Sequence, residues 1–266
     1  KAVRGNLLGS LGMLMAVAVT LLDRSILSFE WILAGVLVGG LAGVVLAVRI
    51  EMTAMPQMVA LLNGFGGVAS VLVAGAALLE AVRAGAAVGV QLTVATAASG
   101  LVGAVTFWGS LVAFGKLQGV ITEKAVLFPG NQVLNALLFA GSLGLGGWLV
   151  LDPAAPLAYW LLVGVASVLG VLLVLPIGGA DMPVVIALLN SYSGLAAAAT
   201  GFVLQNNILI VAGSLVGASG VILSSIMCKA MNRSLTNVVF GVFAQTEEGA
   251  SADEVYGGKI TATEAE

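Results

Sequence analysis

The sequence predicts an all-α fold, a polytopic transmembrane bundle of about eight helices with a parallel internal repeat. Three observations support this prediction. The 266 residues are 60% hydrophobic and only 9% charged, whereas a soluble domain carries about 25% charged residues. The apolar residues form runs of about 20, the length that a helix needs to cross a bilayer. Finally, a motif with proline and asparagine in one run recurs 127 positions later in another.

The apolar runs indicate helices because none of them alternates in polarity over about ten residues, as the strands of a membrane barrel do. In chain order, the predicted helices cover residues 5–22, 31–50, 55–79, 90–114, 131–151, 157–177, 183–204 and 207–228. Polar or turn-forming residues separate them, at 22–25, Glu51, the 80–89 loop with Glu80 and Arg83, Glu123, Asp152-Pro153, 178–181 and 205–207.

The distribution of lysine and arginine predicts the orientation, since these residues concentrate on the cytoplasmic side. With eight helices, both ends of the chain lie on one side of the membrane. That side receives Lys1, Arg4, Arg49, Lys116, Lys124, Lys229, Arg233 and Lys259. The other side receives only Arg24 and Arg83. We therefore expect both ends to be cytoplasmic.

The internal repeat joins the third and seventh predicted helices. Met55-Pro56, followed by the segment 60–67, recurs as Met182-Pro183, followed by 187–194. Each proline lies at the start of its helix, where the missing N–H costs little. Four helices separate the two copies, so both run in the same direction. Some transporters contain such a parallel repeat and place a site at the repeat interface.

Glycines at a spacing of four residues predict close contacts between helices, because small residues let helix backbones approach each other in lipid. Two groups have this spacing, Gly35 with Gly39 and Gly43, and Gly213 with Gly217. The interpretation favoured for these glycines is packing without chemistry.

Uncharged polar residues inside the predicted helices are the candidates for a path through the membrane. Asn63 and Asn190 lie seven residues beyond their prolines, about 10 Å into the bilayer. Each amide either forms an interhelical hydrogen bond or orders water in a pore, since an unpaired polar group in hydrocarbon costs several kcal/mol. Neither amide takes up a proton near pH 7. The candidate path consists of Asn190, Ser191, Ser193, Asn63, Ser214 and Ser219.

A second candidate region lies at the cytoplasmic ends of the last two helices. Asp181 precedes the seventh helix, where a carboxylate either favours the positive end of the helix dipole or contacts a soluble partner and couples proton entry. Lys229 and Arg233 end the eighth helix, either as favourable charges at its negative end or as a hinge.

The composition also excludes several classes. With no histidine and one cysteine, the chain lacks the commonest metal ligand and cannot form an internal disulfide. It has no basic stripe for nucleic acid. Residues 245–266 are acidic and polar, as linkers are, and the chain begins with Lys1. We therefore expect a piece of a longer protein, with a transmembrane domain at 1–244 and a linker at 245–266 that leads to a further soluble domain.

Several long motifs carry a resemblance to a known family. They are the segments 179–185 (GADMPVV), 189–194 (LNSYSG), 226–234 (IMCKAMNRS), 51–53 (EMT), 55–56 (MP) and 112–117 (VAFGKL). With them, the chain resembles the beta subunit of the proton-translocating NAD(P) transhydrogenases from about residue 5 onward. The segment 259–262 (KITA) resembles the lead-in to that family's NADP(H)-binding domain, and family members carry one further helix upstream.

The resemblance implies a function for the whole assembly in a bacterial cytoplasmic (inner) membrane. An alpha subunit with membrane helices and an NAD(H)-binding domain, and the NADP(H)-binding domain of the beta subunit, exchange a hydride in the cytoplasm. The membrane domain passes protons inward, and the assembly is a homodimer. Asn190 would line the proton path, and Asp181, Lys229 and Arg233 would face the NADP(H)-binding domain. Both nucleotides bind outside this chain segment, and no metal is implied.

One position departs from the family. Many relatives carry a histidine, thought to handle protons, where this chain has Asn63. The chain has no histidine, so we expect a partner chain to supply a titratable group, the alternative being water alone. Two other functions compete, a secondary transporter built on the parallel repeat and a purely structural membrane subunit.

Overall fold

A computed structural model describes residues 2–22, 29–85, 88–232 and 234–239. These residues form α-helices and two 3-10 turns, and the described ranges contain no strand. The helices are α1 (Ala2–Leu21), α2 (Glu30–Arg49), α3 (Met55–Arg83), α4 (Val90–Leu117), α5 (Asn131–Leu151), α6 (Pro156–Val174), α7 (Met182–Val203), α8 (Asn207–Ala230) and α9 (Leu235–Val239). The 3-10 turns are Met52–Ala54 and Gly179–Asp181. The prediction of an all-α bundle with eight long helices is confirmed.

Seven of the described helices, α2 to α8, are long and apolar enough to cross a membrane. The apolar stretch of α1, Arg4–Val19, is shorter. The predicted linker at 245–266 lies outside the described residues.

Several helix ends differ from the predicted positions by up to four residues, and two of them concern residues used below. The helix α3 continues to Arg83, so Glu80 and Arg83 lie in its last turns and not in a loop. Polarity alone does not end a helix, because long charged side chains can extend from its last turn toward water. The helix α6 ends at Val174, three residues earlier than predicted, and carbonyl groups just beyond its end bind a side chain described below.

The chain divides into two compact units, residues 1–52 and 53–266. The first unit contains α1 and α2, and the described side chains of α2 are all partly or fully exposed. Within this unit, a Cβ added at Gly35, Gly39 or Gly43 would meet no atom within 4 Å.

The second unit is a bundle around α4, which packs against α3, α5, α6 and α7. The helices α3, α5 and α7 begin at the end of the bundle where α4, α6 and α8 finish. We call this end, which carries Pro56, Pro183 and Lys116, the proline end. Buried apolar side chains of α4, α6 and α7 surround Met182 there, and a second cluster around Tyr159 fills the other half of the bundle.

Glycines bring the main helix pairs into backbone contact. Between α3 and α4, a Cβ at Gly67 would lie 2.6 Å from the carbonyl oxygen of Gly103. Between α7 and α8, a Cβ at Gly194 would lie 2.5 Å from the backbone nitrogen of Gly217, and one at Gly213 would lie 2.5 Å from that of Ala198. The close contact predicted at Gly213 and Gly217 is therefore present, and no larger residue fits there unless the helices move apart.

Candidate functional site

A row of polar side chains follows the contact between α3, α4 and α7, starting near the proline end. Asn63 is 6% exposed, and its Nδ2 donates a hydrogen bond of 3.2 Å to the carbonyl oxygen of Ile186. Of the two interpretations of this amide, the interhelical hydrogen bond is therefore present. It joins the two copies of the repeat.

The next polar groups of the row lie beside Gly64 and Gly66 of α3. Ser110 of α4 is buried next to α3, with its Cβ 3.2 Å from the place of a Cβ at Gly64. Its Oγ has no hydrogen-bond partner among the described residues. Ser193 of α7 faces α3 as well, since a Cβ at Gly66 would lie 2.6 Å from its Oγ. A hydroxyl that is buried without a partner favours a water molecule beside it.

Two hydroxyl groups form the middle of the row. Ser99 Oγ lies 3.1 Å from the carbonyl oxygen of Ser70 and 2.8 Å from Thr200 Oγ1. Thr200 Oγ1 also lies 2.9 Å from the carbonyl oxygen of Ala196. Each hydroxyl has one proton to donate, so the two hydroxyls together can donate only two hydrogen bonds, although three such contacts are within reach. The hydroxyl protons can therefore change acceptors without a change in helix packing.

The row ends at Thr96 of α4, whose buried Oγ1 has no partner within the described part of the chain. At 1.5 Å per residue, the distance along α3 from Asn63 to Ser70 is about 10 Å. We call this row the polar seam. It consists of Asn63, Ser110, Ser193, Ser70, Ser99, Thr200 and Thr96.

The pair of hydroxyls gives a prediction about stability. We expect Ser99→Ala and Thr200→Val each to lower the free energy of unfolding by about 1 kcal/mol. Their effects should not add, and the coupling energy should be about 0.6 kcal/mol, as for other hydrogen bonds between membrane helices. A double-mutant cycle followed by thermal unfolding in detergent measures this energy. Additive losses would show that the two hydroxyls do not interact.

The residues of the predicted path do not all meet in the structure. Ser191 is buried on the opposite side of α7 from the seam, where its Oγ donates to the carbonyl oxygen of Gly217 at 2.6 Å. Ser214 and Ser219 are exposed on α8 and bind carbonyl groups of their own helix. Asn190 is half-buried, and helical periodicity places it on the same stripe of α7 as Ser193.

Two residues of the predicted coupling region, Asp181 and Lys229, lie at the proline end. Asp181 ends the 3-10 turn before α7 and is 4% exposed. The next residue, Met182, packs in one buried cluster with Cys228 of α8. Lys229 follows in the last turn of α8 and is exposed. Arg233 lies outside the described residues.

Sequence reasoning missed the contribution of α4 to the site. Its polar residues Thr96, Ser99, Thr106 and Ser110 are 0% exposed, and Gly103 lies between them on the same stripe. Spacings of three and four residues place all five on one face of a helix. That periodicity is readable in the sequence and could have indicated a polar stripe on α4.

The polar seam offers hydroxyl and amide groups. Among the described residues, no group of three or more His, Cys, Asp or Glu side chains could hold a metal ion. The named seam residues are all uncharged, so they can carry hydrogen bonds and water but cannot themselves store a charge near pH 7. This chemistry suits the passage of a proton better than the binding of an ionic substrate.

Fold and site together define a class of protein, a polytopic helical membrane protein with a buried polar row between the two copies of a repeat. The family model described as NAD(P) transhydrogenase beta subunit matches residues 1–266. The chain is 46% identical over 261 residues to the NAD(P) transhydrogenase subunit beta of Rhodospirillum rubrum, covering 94% of this chain and 54% of that protein. The same figures hold for the subunit beta of a designated strain of that species. The chain belongs to the NAD(P) transhydrogenase beta subunit family and spans about half the length of these relatives.

Proposed function

We propose that this chain is the proton-conducting membrane part of an NAD(P) transhydrogenase. In this role it couples inward proton passage to hydride transfer between NAD(H) and NADP(H). The observation that carries the proposal is the polar seam. In it, the buried hydroxyls of Ser110 and Thr96, which have no partner among the described residues, lie on either side of the Ser99–Thr200 pair. Waters at these hydroxyls would connect the groups into a hydrogen-bonded chain.

In this proposal the proline end faces the cytoplasm, as the lysine and arginine distribution favours. The domain that binds NADP(H) lies beyond the linker and contacts Asp181, Lys229 and Arg233. An alpha subunit with an NAD(H)-binding domain completes the assembly in a bacterial inner membrane, and two such assemblies form a dimer. A titratable group from the alpha subunit takes up the proton, because the Asn63 amide cannot do so near pH 7.

The division of labour limits what this chain contributes. The described residues contain no strand, and hence no strand–turn–helix unit of the kind that binds dinucleotides. Hydride chemistry therefore belongs to the nucleotide-binding domains. The membrane chain supplies a path whose access depends on which nucleotide occupies its partner domain, a coupling between two distinct sites.

The test uses the complete protein with its alpha subunit in sealed liposomes that contain a pH dye. In this proposal, inward proton passage drives NADPH formation. NADPH and an oxidised NAD analogue are added outside, so that hydride transfer runs in the reverse direction and protons move into the liposome. We expect the interior to acidify in step with turnover and an uncoupler to abolish the acidification. Turnover without a pH change would show that the chain is a scaffold and not a proton path. If there is no turnover, the secondary-transporter hypothesis is favoured instead.

The Ser110→Ala variant separates the path from packing in the same assay. Because Ser110 Oγ has no partner among the described residues, its loss should leave the unfolding temperature unchanged or slightly raised. Acidification should still slow, by about fivefold or more, since a hydroxyl that holds water in the path is lost. An unchanged rate would remove Ser110 from the path.

A further inference from the structure

The structure buries one positive charge that the proposed proton path does not use. Lys116 lies in the last turn of α4 and is 0% exposed, although its type and position predict a cytoplasmic surface charge. Its Nζ donates hydrogen bonds to the carbonyl oxygens of Leu175 at 2.6 Å, Ile177 at 2.7 Å and Lys124 at 3.2 Å. The three protons of the ammonium group are thereby all used.

The partners of this ammonium group are all backbone atoms. Burial of a charge costs several kcal/mol unless polar groups replace the lost water. Here two of the three carbonyl groups lie just beyond the end of α6, where carbonyls lack partners within the helix and the helix dipole favours a cation. Lys116 therefore stabilises the end of a helix other than its own.

The same carbonyls belong to two connections that also bind each other. The backbone nitrogen of Val126 donates to the Leu175 carbonyl at 3.2 Å, and that of Gly179 donates to the Glu123 carbonyl at 2.9 Å. The connection 118–130 and the connection 175–181 thus form one layer at the proline end. Lys116 binds carbonyl groups of both connections in this layer, that of Lys124 in the first and those of Leu175 and Ile177 in the second.

The second of these connections ends at Asp181, and Lys116 lies on the helix that carries Ser110. The separation of Lys116 and Ser110 along α4 is about 9 Å at 1.5 Å per residue. A displacement at Asp181 would move the Leu175 and Ile177 carbonyls, which bind the ammonium group directly. A continuous series of contacts therefore leads from the surface layer to the seam.

We propose that Lys116 is a positioning residue for coupling. Its ammonium group holds the two connections in one arrangement and transmits their movement to α4. This inference rests on the proposed function, in which the NADP(H)-binding domain contacts Asp181. Loss of the ammonium group should therefore uncouple proton movement from hydride transfer without stopping the hydride chemistry.

The test compares Lys116→Met, Lys116→Arg and Lys124→Met in the complete protein. Methionine keeps an unbranched side chain and removes the donors, and arginine restores a charged donor. Lys124 is the matched control, because its side chain is exposed and only its carbonyl binds Lys116. In the liposome assay, the protons moved per hydride should fall at least about threefold in Lys116→Met and recover in Lys116→Arg. Lys124→Met should match the wild type. Proton and hydride rates that fall together, with an unchanged ratio, would overturn the proposal.

A second measurement keeps this test separate from that of the proposed function. Hydrogen–deuterium exchange of the Val126 and Gly179 amides should be about tenfold faster or more in Lys116→Met than in the wild type, because local opening becomes easier. It should be near the wild-type rate in Lys116→Arg. Unchanged exchange in Lys116→Met would overturn the positioning role. A wild-type protein that moves no protons would overturn the proposed function, while the exchange rates would still decide the role of Lys116.

Discussion

The Asn190→Leu variant is expected to slow coupled hydride transfer at least about tenfold, which corresponds to about 1.4 kcal/mol in the barrier. Asn190 is half-buried on the stripe of α7 that also carries Ser193. Leucine has a similar size but neither donates nor accepts a hydrogen bond, so water beside it loses a partner at a cost of about 1–3 kcal/mol. The measurement is the rate of hydride transfer and of proton movement in sealed liposomes.

Asn207→Leu is the control for this substitution. Asn207 is the first residue of α8 and is exposed at the opposite end of the bundle from the proline end. The same chemical change there should alter the coupled rate by less than about twofold, as surface substitutions generally do. Equal losses in the two variants, or no loss in either, would remove Asn190 from the path.

Gly213→Ala is expected to cause a large loss of stability in the bundle. The added Cβ would lie 2.5 Å from the backbone nitrogen of Ala198 and 2.6 Å from the carbonyl oxygen of Gly194. Both are backbone atoms, which cannot turn away as a side chain can, so α7 and α8 must separate. Overpacking of this kind costs about 1–3 kcal/mol. Thermal unfolding in detergent should show a midpoint lower by about 5 °C or more.

The matched control is Gly141→Ala in α5, where an added Cβ meets no atom within 4 Å. In a helix with free space, alanine is more stable than glycine by about 1 kcal/mol. The unfolding midpoint of Gly141→Ala should therefore equal or exceed that of the wild type, whereas that of Gly213→Ala should be lower. A midpoint for Gly213→Ala at or above that of the wild type would mean that the helices are not in backbone contact.

The helices of this protein were predictable because the bilayer fixes their length. Runs of about 20 apolar residues leave little choice about where a helix lies. The ends were less predictable. Glu80 and Arg83 remain helical because the end of a membrane helix lies at an interface that accepts charge, so polarity alone did not locate the last turn of α3.

The candidate site was predictable only in part, because the sequence does not show which helix faces meet. Ser191 and Ser193 are two positions apart and were assigned to one path. Successive residues in a helix are about 100° apart, so these two point to different neighbours, Ser191 to α8 and Ser193 to α3. Only the packing of the bundle distinguishes them.

Lys116 could not have been placed from the sequence at all. A lysine near the end of a predicted membrane helix is expected to be exposed to solvent. The groups that compensate its burial are carbonyls, which every residue carries, so no residue type indicates them. The three acceptors become visible only when the 118–130 and 175–181 connections are in place.

The contact between Gly66 and Ser193 has a consequence for how the two copies of the repeat, in α3 and α7, can differ in sequence. These residues occupy equivalent positions in the two copies of the repeat and face each other, as residues do at the axis of a two-fold symmetric dimer. The space there admits one hydroxyl, because a Cβ at Gly66 would lie 2.6 Å from the Ser193 Oγ. Two identical copies would need either two serines, which do not fit, or two glycines, which have no hydroxyl group. Because the two copies differ in sequence at this position, a polar group can lie on one side of the contact alone.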